Sequence, residues 1–254
     1  MGKRLRIAIL ACDVPDGIPR QFRGKNRGIS EILRMRLLEF SKKLDITLHL
    51  RTFSLPKRHY DFPDPNDFQA IAVSGSMADI SVRYLLETPW MKNLQSFIRD
   101  LRDEVPTIGI CFGSQAIGTA YDSHLEDLPV PEEGFIPCTK TSKGREDALH
   151  HDLPDRFFAL FTHGQYITPA PGSLLVESDS PSVQAFRVGK MTWGIQFHPD
   201  FAPETVRSAL IARRWELKHQ GLDVEKALKR LDIPDEERHD TKPLLNFLKF
   251  AASR

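Results

Sequence analysis

Apolar and polar positions alternate along this chain with two periods, and the switches between them outline its elements. Arg6 to Ala11 (RIAILA) is a compact apolar run of the kind found in strands covered on both faces. A polar, glycine-containing loop follows, from Asp13 to Gly28. From Ile29 to Leu44 the apolar residues Ile32, Leu33, Met35, Leu37, Leu38 and Phe40 recur at helical spacing. Ile46 to Phe53 alternates as a second strand, and Phe68 to Val73 is a third, ending at the turn Ser74-Gly75-Ser76. Trp90 to Leu101 predicts an amphipathic helix and Thr107 to Ile110 a fourth, buried strand. In the second half the segments Leu174 to Ser178, Val183 to Val188 and Thr192 to Phe197 follow one another with short turns, Gly189-Lys190 being a hairpin turn. Glu204 to His219 returns to helix.

Strands alternating with helices predict an α/β fold: three layers, a mostly parallel sheet with helices on both faces, and a partly antiparallel end. Residues 1–219 are expected to form this domain. Residues 220–254 differ in character and are expected to form a C-terminal helical extension. Val224 to Leu231 is a charged helical segment, Pro234 breaks it, and Pro243 to Phe250 (PLLNFLKF) is apolar enough to dock on the domain or on a partner.

Composition narrows the function classes. The 254 residues carry a formal net charge of +1, so no global field draws in nucleic acid or an anionic membrane. Three cysteines, Cys12, Cys111 and Cys138, are too few and odd in number for a disulfide framework. The basic start MGKRLR before a short apolar run imitates a secretory signal, but Cys12-Asp13 ends the run and no small-residue cleavage site follows. Gly2 is a weak acylation candidate, because Arg6 stands where Ser or Thr is expected. No apolar stretch approaches the ~20 residues needed to cross a bilayer. A soluble, cytoplasmic protein with no membrane or nucleic-acid partner is the expectation.

The sharpest chemical feature is Gly109-Ile110-Cys111-Phe112-Gly113-Ser114-Gln115. A buried strand delivers Cys111 to a sharp turn between small residues, and a helix follows with Ala116-Ile117, the geometry of a nucleophile elbow. A helix N-terminus stabilises a thiolate through free backbone N–H groups and the helix dipole. The same amides, Phe112 N–H first among them, can bind an oxyanion formed when the thiolate attacks a carbonyl. By itself the pattern equally fits a small buried cysteine after a strand. Trp193-Gly194-Ile195-Gln196-Phe197-His198-Pro199-Asp200 adds a histidine at a strand end with a carboxylate two residues on. A cysteine nucleophile needs such a base and the base an orienting partner, which makes Cys111, His198 and Asp200 a candidate catalytic set. Gly75 and Ser76, at another strand's C-terminal end, are candidates for a second oxyanion donor, although any strand-to-loop turn uses such residues.

The stretches at 109–115 and 194–200 resemble the two signature motifs of class I glutamine amidotransferases. Thr88-Pro89-Trp90, His163-Gly164 and Gln184-Ala185-Phe186 resemble the GMP-synthase-like branch, to which the plant γ-glutamyl peptidases also belong. The resemblance runs in order from about Phe68 to Arg213 and does not cover the tail. It implies a flavodoxin-like sheet, no cofactor, and cleavage of a small-molecule γ-glutamyl amide through a thioester on Cys111. It further implies His198 as acid and base, Phe112 and Gly75 amides as the oxyanion hole, and Ser76, Gln115, His163 and Gly164 near the substrate's amino-acid end. Three departures stand out: Ser114 where the family more often has His, Asp200 where it has Glu, and Ala120-Tyr121-Asp122-Ser123-His124 where a glycine pair usually follows the elbow helix.

The remaining candidates are weaker. His150-His151 after Glu146-Asp147 fits no common zinc spacing, so no metal site is expected and a solvated polar loop is the simpler reading. Cys12 and Cys138 lack an elbow and a base and read as packing residues. The basic run Arg20 to Arg27 reads as a solvated loop. The chain has no phosphate cradle and no ATP-grasp or ATP-pyrophosphatase signature, so a synthetase fed with ammonia would be a separate polypeptide. Two other readings stay open: a fold-retaining protein that binds a metabolite or partner without catalysis, and the same thiol turned to other acyl chemistry.

Overall fold

The computed structural model describes residues 3–13, 28–57, 61–76, 87–101 and 103–254. Gly2 and the basic run Arg20 to Arg27 lie outside them. Among the described residues nine strands form one sheet in the order β2-β1-β3-β4-β9-β8-β7-β5-β6. The strands β1 (Lys3–Ala11), β2 (Ile46–Ser54), β3 (Ala70–Val73), β4 (Thr107–Ile110) and β9 (Thr192–Ile195) run parallel. Beyond β9 every pairing is antiparallel: β8 (Ala185–Val188), β7 (Ser173–Glu177), β5 (His124–Lys140) and β6 (Arg156–Thr168). All residues of β3, β4 and β9 are buried, as the unbroken apolar runs require, whereas the edge strand β2 alternates.

Helices cover both faces. Helix α1 (Ile29–Lys43) lays Leu33, Leu37 and Phe40 on a core that includes Leu5, Ile7, Ile108 and Trp193. Helices α2 (Pro89–Asp100) and α3 (Phe112–Ala120) cover the other face, with Trp90, Leu94, Ile98 and Ile117 on Ala8, Leu10, Ile71 and Val73. A single turn, α4 (Ser142–Arg145), follows β5. A third cluster joins Phe135 and Leu160 of the β5–β6 ribbon to α5 (Pro203–Ala212), α6 (Arg214–His219) and α7 (Val224–Lys229). The last helix, α8 (Lys242–Ala252), buries Leu244, Phe247 and Leu248 in the α1-side core. Phe247 and Phe250 meet Trp193 edge-on at 6.3 and 5.1 Å.

Several sequence expectations change. The long ribbon β5–β6 carries no clear alternation, because Pro129, Pro131 and Pro137 interrupt β5; its register breaks between Asp127 and Glu132, where prolines cannot donate to a ladder. His163-Gly164, expected near the substrate's amino-acid end, is part of β6. The helix after the elbow begins at Phe112 rather than Ala116, so Cys111 is its N-cap residue. The segment Glu204 to His219 is two helices meeting at Arg213. The loop at His150 is not solvated: His150 and Asp147 are fully buried, with His150 Nδ1 2.9 Å from Asp147 Oδ1. Asp147 Oδ2 also accepts from Arg187 (2.8 Å) and Trp193 Nε1 (3.1 Å), so with His150 and the Leu149 backbone N–H four groups converge on this carboxylate.

Candidate active site

Strand β4 ends at Ile110, and the chain turns at once into α3. Cys111 occupies the turn with φ 52° and ψ −108°, a left-handed conformation that costs a non-glycine residue about 1–3 kcal/mol. Two glycines make so tight a turn feasible. A Cβ on Gly109 would strike the Gly113 carbonyl, and one on Gly113 would strike the Val73 carbonyl of β3. The Cys111 backbone N–H donates to Ile195 O at 2.8 Å, tying the turn to β9, and its carbonyl accepts from Gln115 N at 3.0 Å. The side chain thus stands at the N-terminus of a nine-residue helix, where free amides and the dipole favour negative charge.

His198 lies just beyond β9, its N–H bonded to Leu160 O of β6 at 2.8 Å and its ring stacked on Phe201 at 3.9 Å. Nδ1 is 3.1 Å from Asp200 Oδ1, so the shorter carboxylate does reach the ring. The ring also hydrogen-bonds Cys111, a contact that falls to Nε2 because Nδ1 is taken. Burial by itself would favour the neutral ring, but the negative charges of Cys111 and Asp200 overcome it and push the His198 pKa up to about 10. Asp200 is fully buried; its second oxygen, Oδ2, has no hydrogen-bond partner, and its backbone carbonyl accepts from Arg36 Nε at 3.1 Å. Gly75 closes the group. A Cβ there would lie 3.4 Å from His198 Cε1 and 3.7 Å from Cys111 Cβ, so the end of β3 passes directly beside both. Ser76 is the next residue, half-buried.

The other sequence candidates form a second, polar layer. Gln115 Nε2 donates to Gln165 O at 2.9 Å and to Gln196 Oε1 at 3.2 Å. His163 Nδ1 donates to the same Gln165 carbonyl at 2.8 Å, and its Nε2 pairs with Glu132 Oε2 at 2.8 Å. Glu132 also accepts from Gln184 Nε2 at 3.3 Å; burial raises its carboxyl, but bonds from His163, Ser180 and Gln184 outweigh this and hold it below the usual range. Gly164 is exposed, with only Pro131 within 4.0 Å of a Cβ placed there. Ser114 is buried with an unpartnered hydroxyl, pressed close to where a Cβ on Gly194 would be. Sequence reasoning missed Glu132, Gln165 and Gln196; the pair Glu132-Glu133 inside an otherwise proline-rich stretch was the one local signal.

Among the described residues no group of His, Cys, Asp and Glu could hold a metal ion, and no helix is long and apolar enough to cross a membrane. Cys12 and Cys138 are buried free thiols whose pKa burial pushes up. Residues 31–217 match the family model of class I glutamine amidotransferases. The chain belongs to this family. It is 33% identical over 115 residues to the glutamine amidotransferase-like protein YfeJ of Salmonella typhimurium, covering 43% of this chain and 46% of that one. It is 33% identical over 106 residues to the glutamine-hydrolysing GMP synthase of Porphyromonas gingivalis, covering 41% of this chain and 21% of the synthase. The matched part thus spans about half of the first relative and a fifth of the second. A glutamine amidotransferase-like protein of Schizosaccharomyces pombe aligns over 214 residues at 24% identity, covering 78% of this chain and 80% of that one. The glutamine amidotransferase of Thermotoga maritima shares the fold, with a TM-score of 0.71 at 18% identity over 98% of this chain and 99% of that one. The class I amidotransferase architecture of helices on both faces of a mixed sheet is therefore established for this chain.

Proposed function

We propose that this family member cleaves a γ-glutamyl amide, glutamine or a γ-glutamyl peptide or conjugate, through a thioester on Cys111. The observation that carries the reading is the convergence of the strained Cys111 turn, the Asp200-bound His198 ring and the Gly75 backbone around one point. The Cys111 thiolate attacks the γ-carbonyl carbon, and the carbonyl electrons move to oxygen, where Phe112 and Gly75 N–H groups receive the charge. The tetrahedral adduct collapses, the C–N bond breaks, and His198, protonated by virtue of its two anionic neighbours, gives its proton to the departing nitrogen. Neutral His198 then takes a proton from water, which attacks the thioester; the C–S bond breaks, glutamate leaves and the thiolate–imidazolium pair is restored. Asp200 holds the ring orientation throughout. Ser76, Gln115, His163 and Gly164 are proposed to frame the amino-acid end of the substrate, with Glu132 fixing His163. The reaction takes place in the cytoplasm without a cofactor, and any ammonia used in synthesis goes to a separate synthetase.

Incubation with glutamine or a γ-glutamyl dipeptide followed by acid quench and mass spectrometry tests this directly. The expected product is a γ-glutamyl adduct on the peptide containing Cys111, absent from Cys111→Ala. Turnover by Cys111→Ala at the wild-type rate would overturn the reading.

A further inference from the structure

One buried acid near the site takes no part in the chemistry above. Glu133 is 2% exposed on β5, and its Oε2 has no hydrogen-bond partner. Its cross-strand neighbour on β6 is Thr162, which hydrogen-bonds the carboxyl group. Two residues along the same face, Phe135 pairs with Leu160. Leu160 is the residue whose carbonyl binds His198 N–H, and Phe135, Leu160 and Phe201, the stacking partner of His198, share one apolar cluster. The sheet face that carries Glu133 is therefore the floor on which the His198 segment rests.

We propose that Glu133 is a second carboxylate acting on His198, a positioning residue that helps Asp200 hold the ring as an imidazolium. The groups around Glu133 suit a carboxyl that responds to that ring. Arg213, at the α5–α6 junction, lies 3.9 Å from Oε1 through Nη1 and also pairs with Glu216 at 2.7 Å, so its charge is shared between two acids. Glu216 of α6 opposes ionisation, and His198 favours it. Around the flanking residues, Arg230, just after α7, packs against Gly134 and Arg238 lies over the Phe135 ring at 5.1 Å. Glu132, the adjacent residue, pairs with His163 instead. Burial pushes the Glu133 carboxyl up to about 7, against the pull of Thr162, Arg213 and His198. Near neutral pH the acid is thus divided between its two forms, and only the ionised form supports the imidazolium.

The inference rests on the proposed role of His198, and its test separates the two. In full-length protein labelled with isotopic histidine, the His198 ring is titrated by NMR, its signals assigned by their loss in His198→Gln. Glu133→Gln, which keeps shape and removes charge, is expected to lower the ring's titration midpoint by about half a unit, the size of one partly screened charge at close range. The alkaline limb of kcat/KM for a γ-glutamyl amide should move down by the same amount, with Glu133→Asp restoring part of the shift. A titration midpoint unchanged in Glu133→Gln overturns the inference, whatever the activity. A shifted midpoint in a protein without amidase activity sustains Glu133 and removes the hydrolase reading instead. Should Glu133→Gln fail to fold, Glu133→Asp serves: its carboxylate is drawn back by one methylene, and the ring midpoint should fall by a smaller step, no change again overturning the inference.

Discussion

Cys111 is held by backbone geometry that its own side chain disfavours, and His198 by charges that override its burial. Such concentration of strain and shifted protonation in one place is what a thiolate–imidazolium centre requires. The shift on His198 also has a consequence for stability. The ring's ordinary value is 6.5, and in the folded protein it is pushed up to about 10. The folded state therefore keeps a proton that the unfolded chain releases, so this stabilisation is complete below pH 6.5 and is lost as pH rises through about 10. Denaturant midpoints measured across that window should fall steadily for the wild type. In His198→Gln the fall should flatten; an identical slope would show that the ring is not held charged. In the sequence, Cys111, His198 and Asp200 were legible because each stands at the end of an apolar run. Glu132 and Glu133 were not, because their burial comes from pairing with β6.

The elbow is built from one strand, one helix and the carbonyl of a neighbouring strand. Gly113 has no room for a side chain, since a Cβ meets the Val73 backbone, which cannot move without breaking β3 from β4. Gly113→Ala should therefore cost about 1–3 kcal/mol or more and displace Cys111. Gly164, also in a motif-like segment, has open space, so Gly164→Ala should leave the thermal midpoint within about a degree or two of wild type. Thermal melts of the two variants check the contrast, and equal losses would refute the packing account. Elements with a strong period, β1, α1, α2 and β4, appear where the pattern places them within a few residues. The ribbon β5–β6 was missed because its prolines and acids erase alternation, and its stability comes from long-range pairing.

Across the whole molecule, α8 closes the α1-side core. Asn246 Nδ2 donates to Leu149 O at 3.0 Å and Asp152 Oδ1 at 2.7 Å, and Lys3 Nζ to Ala252 O at 2.9 Å, fixing the helix at its middle and at its C-terminal end. Trp193, on the strand that leads to His198, packs against its aromatic face. Phe247→Ala should destabilise the protein by about 3–5 kcal/mol, read as a lower urea midpoint. A loss under about 1 kcal/mol would mean that the helix contributes little to the core.

Read by itself, the sequence determined the layered α/β class, the parallel half of the sheet and the elbow with its histidine. These follow from local periodicity and from residue types whose chemistry needs a fixed spacing. Only the tertiary structure decided the β5–β6 ribbon, the burial of Asp147, His150 and Glu133, and the passage of Gly75 beside both Cys111 and His198. These depend on pairings between residues far apart in the chain, and whether a charged side chain meets water or another strand is settled by those pairings alone.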